Sequence, residues 1–543
     1  MATFDAPKTS WSAADVQHLA RRAGFGASPE FAAQLAAQPV GATVDAWVDG
    51  TGASFTAFNA ALAANADPVS YPQVNANPNV PGSQALPADP APHPYRLESW
   101  RQAQNGQSQW AWRMHYSPYP FQERLALFWH NFFATGFEKV RSLGLVMDLV
   151  QLYRDHGLDT FPELLVRVSQ SPAMSMWLDS VLNQIPQPAN TAIPNENYAR
   201  EVMELYSLGV DNGYNQTDIT ELAKALSGWS FTSKPGDVEV MPVSQQNSLR
   251  TATFAVYRGQ ANPDGLDYNG RVRATLPNTH YTGTVNFLGQ AFNAGAATNY
   301  GADIIRAIPA LRATQCSEFL AKRILLGFVT PSATATVLQD LAALIRSLNF
   351  DLRAVFKAVF KSAYFYDPAH RYTLAEGPVS WVVRGARALA LPFAQASASA
   401  PYRYPAWMLF ANVAFEQAGM RFLDSDGPNG WAEHLGWINS GTMRYRGKFA
   451  AALALGESVP YAGNTYELFP ASVPLWFQAP PASGLDVYNR LVALLQPAPI
   501  PASVRDAWLA ALYPGSFTWD ANAQTSARRL AYLILCSPGS QLY

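Results

Sequence analysis

Residues Pro120 to Ala134 read PFQERLALFWHNFFA, and residues Leu143 to Asp155 read LGLVMDLVQLYRD. In both stretches apolar residues recur every three or four positions, the spacing that lines one face of an α-helix. The sequence therefore predicts a mainly α, multi-helix globular fold. The same periodicity returns in Ala13–Ala23, Trp100–Met114, Phe161–Ser169, Asn197–Leu208, Ala302–Ile308, Thr314–Gly327, Ser332–Leu348, Leu352–Lys361 and Val379–Leu389.

The segment 230–292 interrupts the helical pattern. Val238–Val240, Ala252–Tyr257 and Gly283–Phe287 are short runs of strand-forming residues, separated by Gly and Asn turns. We therefore expect a small β-containing insertion at 230–292.

Two segments rich in Pro and Ala suggest the domain organisation. Residues 66–94 lack apolar periodicity, which predicts a long irregular loop, and a second break covers Leu391–Pro405. We predict a main helical domain at 1–390 and a C-terminal helical and irregular region at 391–543 that packs on it.

Composition excludes some classes of function. The net charge is -2, only 14% of the residues are charged, and no Lys/Arg-rich run could follow a phosphate backbone, so nucleic acid is not an expected partner. No stretch reaches ~18 uninterrupted apolar residues, so no transmembrane segment is predicted. The 15 Trp, 24 Tyr and 29 Phe serve first as core volume and second as platforms for a ligand.

Known catalytic motifs are missing from the sequence. It contains neither a Gly-x-Ser-x-Gly elbow nor a His-Glu-x-x-His pair, so motifs of serine hydrolases and zinc proteases give no support. Cys316 and Cys536 could form at most one disulfide, and neither has an adjacent base that would activate it.

Eight segments together resemble a known family. They are HLARRAGFGASP from His18, RLALFWHNFFAT from Arg124, SPAMSMWLDS from Ser171, NENYAREVMELYSLGV from Asn195, GYNQTDITELAKALSGW from Gly213, HYTGTVNFLGQ from His280, FLAKRILLGFV from Phe319 and GPNGWAEHLGWINS from Gly427. In this order they resemble the bacterial family catalogued as domain of unknown function 1800, over nearly the whole chain.

The resemblance implies a compartment but no activity. Members of that family are often exported, which implies a periplasmic or secreted protein, although the first residues show no signal peptide and a cytoplasmic location is the alternative. The chain departs from the family pattern at Tyr206, where a His is common. It also departs at Tyr281 and Val285, where an acidic residue and a Lys are common.

Glu201 and Glu204 are the first candidate catalytic residues. They lie three residues apart on a predicted helix, so both carboxylates project from one face. Such a pair can ligate a divalent metal ion or act as an acid/base pair, and pairing with basic residues on neighbouring helices is the structural alternative.

His130 lies within the apolar run LALFWHNFF and is the third candidate catalytic residue. Glu123 is two turns away, ~10.5 Å along a helix, so the two are poorly placed to share a metal ion. A site with one divalent metal ion would instead combine His130 with Glu201, Glu204 and His280, because bundle cores build such sites from facing helices. A buried polar network without metal fits the same residues.

Four further residues are candidates for ligand binding. Arg21 and Arg22 precede a glycine-rich turn and could bind a carboxylate or phosphate, although a helix C-cap explains the glycines as well. Asn197 shares the face of Glu201 one turn earlier, and Trp229 is an aromatic platform.

The residues support two hypotheses about function. The first is an envelope-associated, metal-dependent enzyme, a hydrolase or an oxidoreductase, that acts on an unidentified small molecule or polymer. The second is a non-catalytic envelope interaction or assembly protein, whose buried Glu and His side chains fix helix registry and whose aromatic residues contact a protein or polymer partner.

Overall fold

Helices form most of the fold in the computed structural model of the chain. The structure describes residues 3–50, 107, 110–111, 113–117, 120–140, 142–187, 192–234, 238–239, 248–249, 252–269, 271–293, 300–389, 417–457, 459–461, 464–466, 473–477 and 479–543. The predicted irregular loop 66–94 and the break at Leu391–Pro405 lie outside these residues.

The α-helices confirm the predicted mainly α fold class. Their bounds are Ala13–Arg22, Pro29–Ala36, Val40–Asp49, Phe121–Phe132, Phe137–Val140, Leu143–His156, Phe161–Ser169, Pro172–Trp177, Asn197–Glu204, Gln216–Ala225, Tyr300–Leu311, Ala313–Ile324, Ala335–Ser347, Leu352–Lys361, Pro378–Ala388, Ser440–Leu455, Gly484–Leu495, Ala502–Leu512 and Ala521–Cys536. Short 3-10 helices lie at Ser180–Leu182, Tyr364–Tyr366, Pro368–His370, His434–Trp437, Val473–Trp476 and Pro538–Gln541.

Side-chain caps fix where several helices begin. Ser12 accepts a hydrogen bond from the Asp15 backbone N–H, and the Asp15 carboxylate accepts one from the Ser12 N–H, which forms a capping box. A second capping box pairs Asn215 with Asp218. The helix Gln216–Ala225 therefore begins after Asn215, whose short amide side chain accepts hydrogen bonds from the Thr217 and Asp218 backbone N–H groups.

The insertion near 230–292 contains the three predicted strands and three that the pattern missed, Trp229–Thr232, Ser248–Leu249 and Gln290–Asn293. Trp229–Thr232 pairs antiparallel with Thr253–Val256, and Thr284–Phe287 forms a hairpin with Gln290–Asn293. The two turn residues of this hairpin, Leu288 and Gly289, both have positive φ, as the twist of a tight two-residue hairpin requires.

Two shorter strand pairs complete the β structure of the described residues. Val238–Glu239 pairs with Ser248–Leu249, and Val459–Tyr461 pairs with Asn464–Tyr466. The second pair lies far from the predicted insertion, so β structure is not confined to 230–292.

The hydrophobic core runs through both halves of the chain. One continuous cluster of buried residues joins N-terminal side chains such as Leu19 and Leu125 to C-terminal ones such as Leu453 and Ile534. Ala375 forms a β-bridge with Leu542, so the last residues lie against the segment before the helix Pro378–Ala388. None of the helices in the described ranges is long and apolar enough to cross a membrane.

Candidate ligand-binding site

A cleft, here called the Arg124 cleft, opens between three elements. These are the helix Phe121–Phe132 (the Arg124 helix), the helix Pro378–Ala388 (the Ser380 helix) and the segment Trp431–Trp437 (the rim segment). The cleft contains about 680 Å³ of space free of protein atoms, part of it open to solvent. Its polar lining comprises Arg124, Asn131, Ser380, Glu433, His434 and Tyr543, and its aromatic lining comprises Phe128, Trp431 and Trp437.

The Arg124 helix presents one continuous stripe to the cleft. Arg124, Leu127, Phe128 and Asn131 all line it, and their spacing of three, four and seven residues places them on one face of an α-helix. The wall opposite Phe128 includes Gly327, which lies in a π-helical turn at Leu325–Val329. A Cβ at this glycine would lie 2.9 Å from the Phe128 ring, so the close packing here requires glycine.

Arg124 forms the polar corner of the cleft. Its side chain is 9% exposed, and its guanidinium donates hydrogen bonds to Ser380 Oγ and, at 2.6 Å, to the Tyr543 hydroxyl. No carboxylate among the described residues pairs with it, although most buried cations are paired. Because both hydroxyls accept from Arg124, each keeps its own hydrogen to donate to a third group.

The N-terminus of the Ser380 helix lies at the same corner. Its N-cap, Gly377, provides no side-chain cap, and the backbone N–H groups of Val379 and Ser380 have no acceptor among the described residues. Free N–H groups and the helix dipole give such an end a partial positive charge that favours anions.

A second guanidinium adds positive charge behind this corner. The guanidinium carbon of Arg22 lies 4.8 Å from the centroid of the Tyr543 ring, and that of Arg124 lies 5.3 Å from the same centroid. Arg22 is fully buried, which lowers its pKa to about 9, so it remains charged at neutral pH. Arg22 and Arg124 thus place two positive charges at the Tyr543 ring, and the buried Glu376 carboxylate, next to the N-cap Gly377, is a negative charge that also acts on Arg22.

Asn131 attaches the rim segment to the Arg124 helix. Its Oδ1 accepts a hydrogen bond from the Trp431 backbone at 2.7 Å, and its Nδ2 donates to Glu433 Oε1 at 3.2 Å. Arg323 Nη1 lies 3.2 Å from the same carboxylate oxygen. Glu433 is thus held at one oxygen, while Oε2 has no partner among the described residues.

His434 has an unusual backbone and a defined tautomer. Its φ of 49° lies in the left-handed region, a conformation that costs free energy outside glycine and is found preferentially at functional sites. Its Nδ1 accepts a hydrogen bond from the Ala375 backbone N–H at 3.0 Å, so the ring hydrogen is on Nε2. Burial, together with the positive charge of Arg22, lowers the pKa of His434, which favours this neutral form.

The predicted pair Glu201 and Glu204 lies elsewhere, on the helix Asn197–Glu204. Both side chains are partly buried, and Arg200 lies 3.3 Å from the Glu204 carboxylate. Burial and the neighbouring Glu204 carboxylate raise the pKa of Glu201. The two carboxylates are therefore close enough for the charge of Glu204 to act on Glu201.

His130 lies in the core, behind the wall of the cleft. Its ring is fully buried and packs against Trp110, Tyr153 and Trp431, the last at 5.1 Å between centroids. Neither ring nitrogen has a hydrogen-bond partner among the described residues, and burial lowers the pKa of His130 to about 3.

His280 lies within the β-containing insertion, before the strand Thr284–Phe287. Its Nδ1 donates a hydrogen bond to the Ser227 carbonyl at 2.6 Å, and its ring packs against Tyr300. Burial lowers the pKa of His280 to about 4. Within the described ranges, no three His, Cys, Asp or Glu side chains lie close enough to hold one metal ion, so the four predicted ligands are not gathered into one set.

The four predicted binding residues have structural contacts instead of open surfaces. Arg21 donates to the Gln496 carbonyl at 2.6 Å and to that of Leu542, and Arg22 donates to the His370 carbonyl. Both guanidiniums are buried, and these hydrogen bonds join the helix Ala13–Arg22 to the C-terminal region and to the segment after Tyr366.

Asn197 and Trp229 likewise stabilise local structure. Asn197 Nδ2 donates to the Leu178 carbonyl at 3.2 Å, which joins the start of its helix to the preceding turn. Trp229 is 1% exposed and packs against Phe254. Phe254 lies on the paired strand, two residues before Val256, the residue directly opposite Trp229. A ring buried to this degree is part of the core.

Sequence reasoning missed the residues that line the cleft. Arg124, Asn131, Glu433 and His434 lie inside segments that carry the family resemblance, but Ser380 and Tyr543 lie in none of them. The available signal was the stripe from Arg124 to Asn131, which places a cation and an amide at the two ends of one otherwise apolar helix face.

The fold is mainly α, and its candidate site is an aromatic-lined cleft with a buried arginine at one corner. The family model described as Protein of unknown function (DUF1800) matches residues 18–542, and the chain belongs to this family. No curated protein and no solved structure shows significant similarity to it. Segments that carry the resemblance, beginning at Arg124, Phe319 and Gly427, meet at the Arg124 cleft.

Proposed function

We propose that the protein binds a small acidic molecule in the Arg124 cleft, with a carboxylate or phosphate group at the corner formed by Arg124 and the Ser380 helix. The observation that carries this proposal is the buried Arg124 guanidinium, which lines the cleft without a carboxylate partner. Burying a cation without a counter-charge is costly, and an anionic ligand offsets that cost.

Every donor at this corner suits an anion. Arg124 contributes guanidinium N–H groups, Ser380 and Tyr543 contribute hydroxyls, and the Ser380 helix contributes two uncapped backbone N–H groups. The apolar remainder of the ligand would contact Phe128 and the rings of the rim segment. A cleft with mostly apolar walls and a few convergent polar groups is the usual form of a small-molecule site.

Binding to a panel of carboxylic acids and phosphate esters tests the proposal. Ligands are detected by thermal shift and quantified by isothermal titration calorimetry, with wild type beside Arg124→Met. Loss of charge-assisted hydrogen bonds is expected to weaken binding by about 1.5–3 kcal/mol, or roughly 10-fold to 150-fold.

Arg505→Met is the control, because Arg505 is a partly exposed arginine paired with its neighbour Asp506 and lies outside the cleft lining. Circular dichroism establishes that each variant is folded. Equal affinity of wild type and Arg124→Met for every acid, or no acid that binds wild type, would overturn the proposal.

A second proposal is the metal-dependent enzyme predicted from the sequence, with Glu201 and Glu204 as the metal ligands. It is favoured by the raised pKa of Glu201, which reflects burial beside a second carboxylate; a divalent cation would relieve the repulsion between them. Elemental analysis of wild type and of a folded Glu201→Gln, Glu204→Gln double variant tests it. Stoichiometric metal lost in the variant supports the enzyme, and no metal in either protein favours the structural alternative.

A further inference from the structure

We infer that the ligand of the Arg124 cleft is a short zwitterionic peptide of about dipeptide size, with its carboxylate at Arg124 and its ammonium group at Glu433. This inference rests on the proposed function, since it accepts that an acid binds at Arg124. It adds a second recognition point, at the opposite end of the polar stripe.

Glu433 provides an acceptor for a cation. Arg323 and Asn131 both contact its Oε1, which fixes the orientation of the carboxylate. Oε2 has no partner among the described residues, and the side chain is 31% exposed where it lines the cleft. A carboxylate oxygen can accept about two hydrogen bonds, so Oε2 is available to an ammonium group.

Aromatic side chains that line the cleft are also able to contact a cation. Trp431, two residues before Glu433 in the rim segment, and Phe128 of the Arg124 helix both line the cleft. The negative face of an aromatic ring attracts an ammonium group, and tryptophan does so most strongly. The rings in the cleft lining are therefore compatible with an ammonium group bound at Glu433.

The spacing of the two recognition points fits a dipeptide better than a single amino acid. Arg124 and Asn131 are two helical turns apart, ~10.5 Å along the axis. Asn131 contacts Glu433 directly, so the carboxylate lies near the far end of this interval. In an α-amino acid the ammonium and carboxylate groups are both attached to one carbon, so the molecule spans too little of this interval. In a dipeptide a further residue, roughly 3.5 Å long, separates the two groups.

His434 supplies the donor that a peptide bond requires. Its Nδ1 is occupied by the Ala375 N–H, so Nε2 carries the hydrogen and can donate to a ligand carbonyl. His434 lines the cleft beside Glu433. Carboxylate, carbonyl and ammonium of a dipeptide thus each have a matching group.

Isothermal titration calorimetry with a panel of apolar dipeptides tests the inference. Each dipeptide is used in three forms: free, N-acetylated, which removes the ammonium, and C-terminally amidated, which removes the carboxylate. Wild type is expected to bind the free form at least about 10-fold more tightly than the acetylated form. It is expected not to bind the amide measurably.

Glu433→Gln identifies the source of that preference. The variant retains the shape of the side chain and the contacts of Oε1, so the free and acetylated forms should bind with affinities within about 2-fold of each other. Glu163→Gln is the matched control, because Glu163 is also a partly exposed carboxylate paired with one arginine, Arg306, outside the cleft lining. It should keep the wild-type preference.

The outcomes separate this inference from the proposed function. Equal affinity of wild type for free and acetylated dipeptides, or a preference that survives in folded Glu433→Gln, overturns the peptide inference and leaves acid binding at Arg124 intact. Failure of every acid, acetylated dipeptides included, to bind wild type overturns the proposed function itself. If Glu433→Gln does not fold, the wild-type comparison of free and acetylated forms decides alone.

Discussion

Charged residues on the two faces of the Arg124 helix differ in their partners. On one face Glu123 is 1% exposed and lies between Arg113, at 2.6 Å, and Arg154, at 3.0 Å. On the other face its neighbour Arg124 lies at the cleft without a carboxylate partner. We call these the closed face and the open face of the helix.

The difference shows that burial alone does not separate structural from candidate functional charges. Both side chains are buried, and they are adjacent in sequence. Glu123 is saturated by two guanidiniums, which lower its pKa although burial alone raises it. Arg124 retains bonding capacity directed at an open space, which is the condition for binding a ligand.

The largest effect is expected from breaking the closed face. Glu123→Gln leaves Arg113 and Arg154 without their carboxylate in a buried environment, which should lower the free energy of unfolding by about 3–5 kcal/mol. Urea unfolding followed by circular dichroism measures the change.

Glu204→Gln is the control for this substitution, because Glu204 pairs with Arg200 at 3.3 Å and both side chains are partly exposed. Its expected cost is under about 1 kcal/mol. Similar losses in the two variants would contradict the distinction between a saturated buried charge and an accessible one.

A second test concerns His130, which lies two turns after Glu123 on the closed face. Its pKa of about 3 in the folded protein is below the ordinary value of 6.5, so the unfolded chain binds the proton more tightly. The stability that neutral His130 provides is fully present above pH 6.5. It is lost by about 1.4 kcal/mol per pH unit as the pH falls from 6.5 towards 3.

His130→Leu removes this dependence and keeps an apolar side chain of similar volume. The difference in unfolding free energy between variant and wild type should therefore shift in favour of the variant by about 3 kcal/mol between pH 7 and pH 4.5. Other titrating groups are common to both proteins and cancel in the difference. Parallel stability curves across this range would show that His130 does not titrate as a buried neutral group.

The fold class could be predicted from sequence because it depends on local patterns. Apolar periodicity predicted the helix Phe161–Ser169 to the residue, and the β insertion followed from its Gly and Asn turns. The start of the helix Gln216–Ala225 cannot be predicted as closely, because Asn215, Thr217 and Asp218 are all acceptable N-cap residues. Only the backbone direction before the helix decides among them.

The candidate site could not be predicted because it depends on contacts between distant segments. The Arg124 corner needs Ser380 and Tyr543, which lie 256 and 419 residues away in sequence. An ionisable residue in an apolar run, such as His130, is a candidate for a catalytic role. The same run is equally typical of a helix face buried in the core. The residue that faces the cleft, Asn131, is its immediate neighbour.

The smallest expected effect comes from a backbone substitution at the open face. Gly430 has a φ of 82°, and a Cβ there would lie 2.5 Å from Asn131 Oδ1, the atom that anchors Trp431. Gly430→Ala should therefore cost about 1–3 kcal/mol and displace the rim segment, which weakens binding in the Arg124 cleft. Gly427→Ala, in the same loop, is the control because a Cβ at Gly427 meets nothing within 4 Å. Calorimetry measures ligand affinity and thermal unfolding measures stability for both variants. If both variants keep wild-type affinity, the position of the rim segment does not govern binding. The part of the open face that binds ligand would then be the Arg124 corner alone.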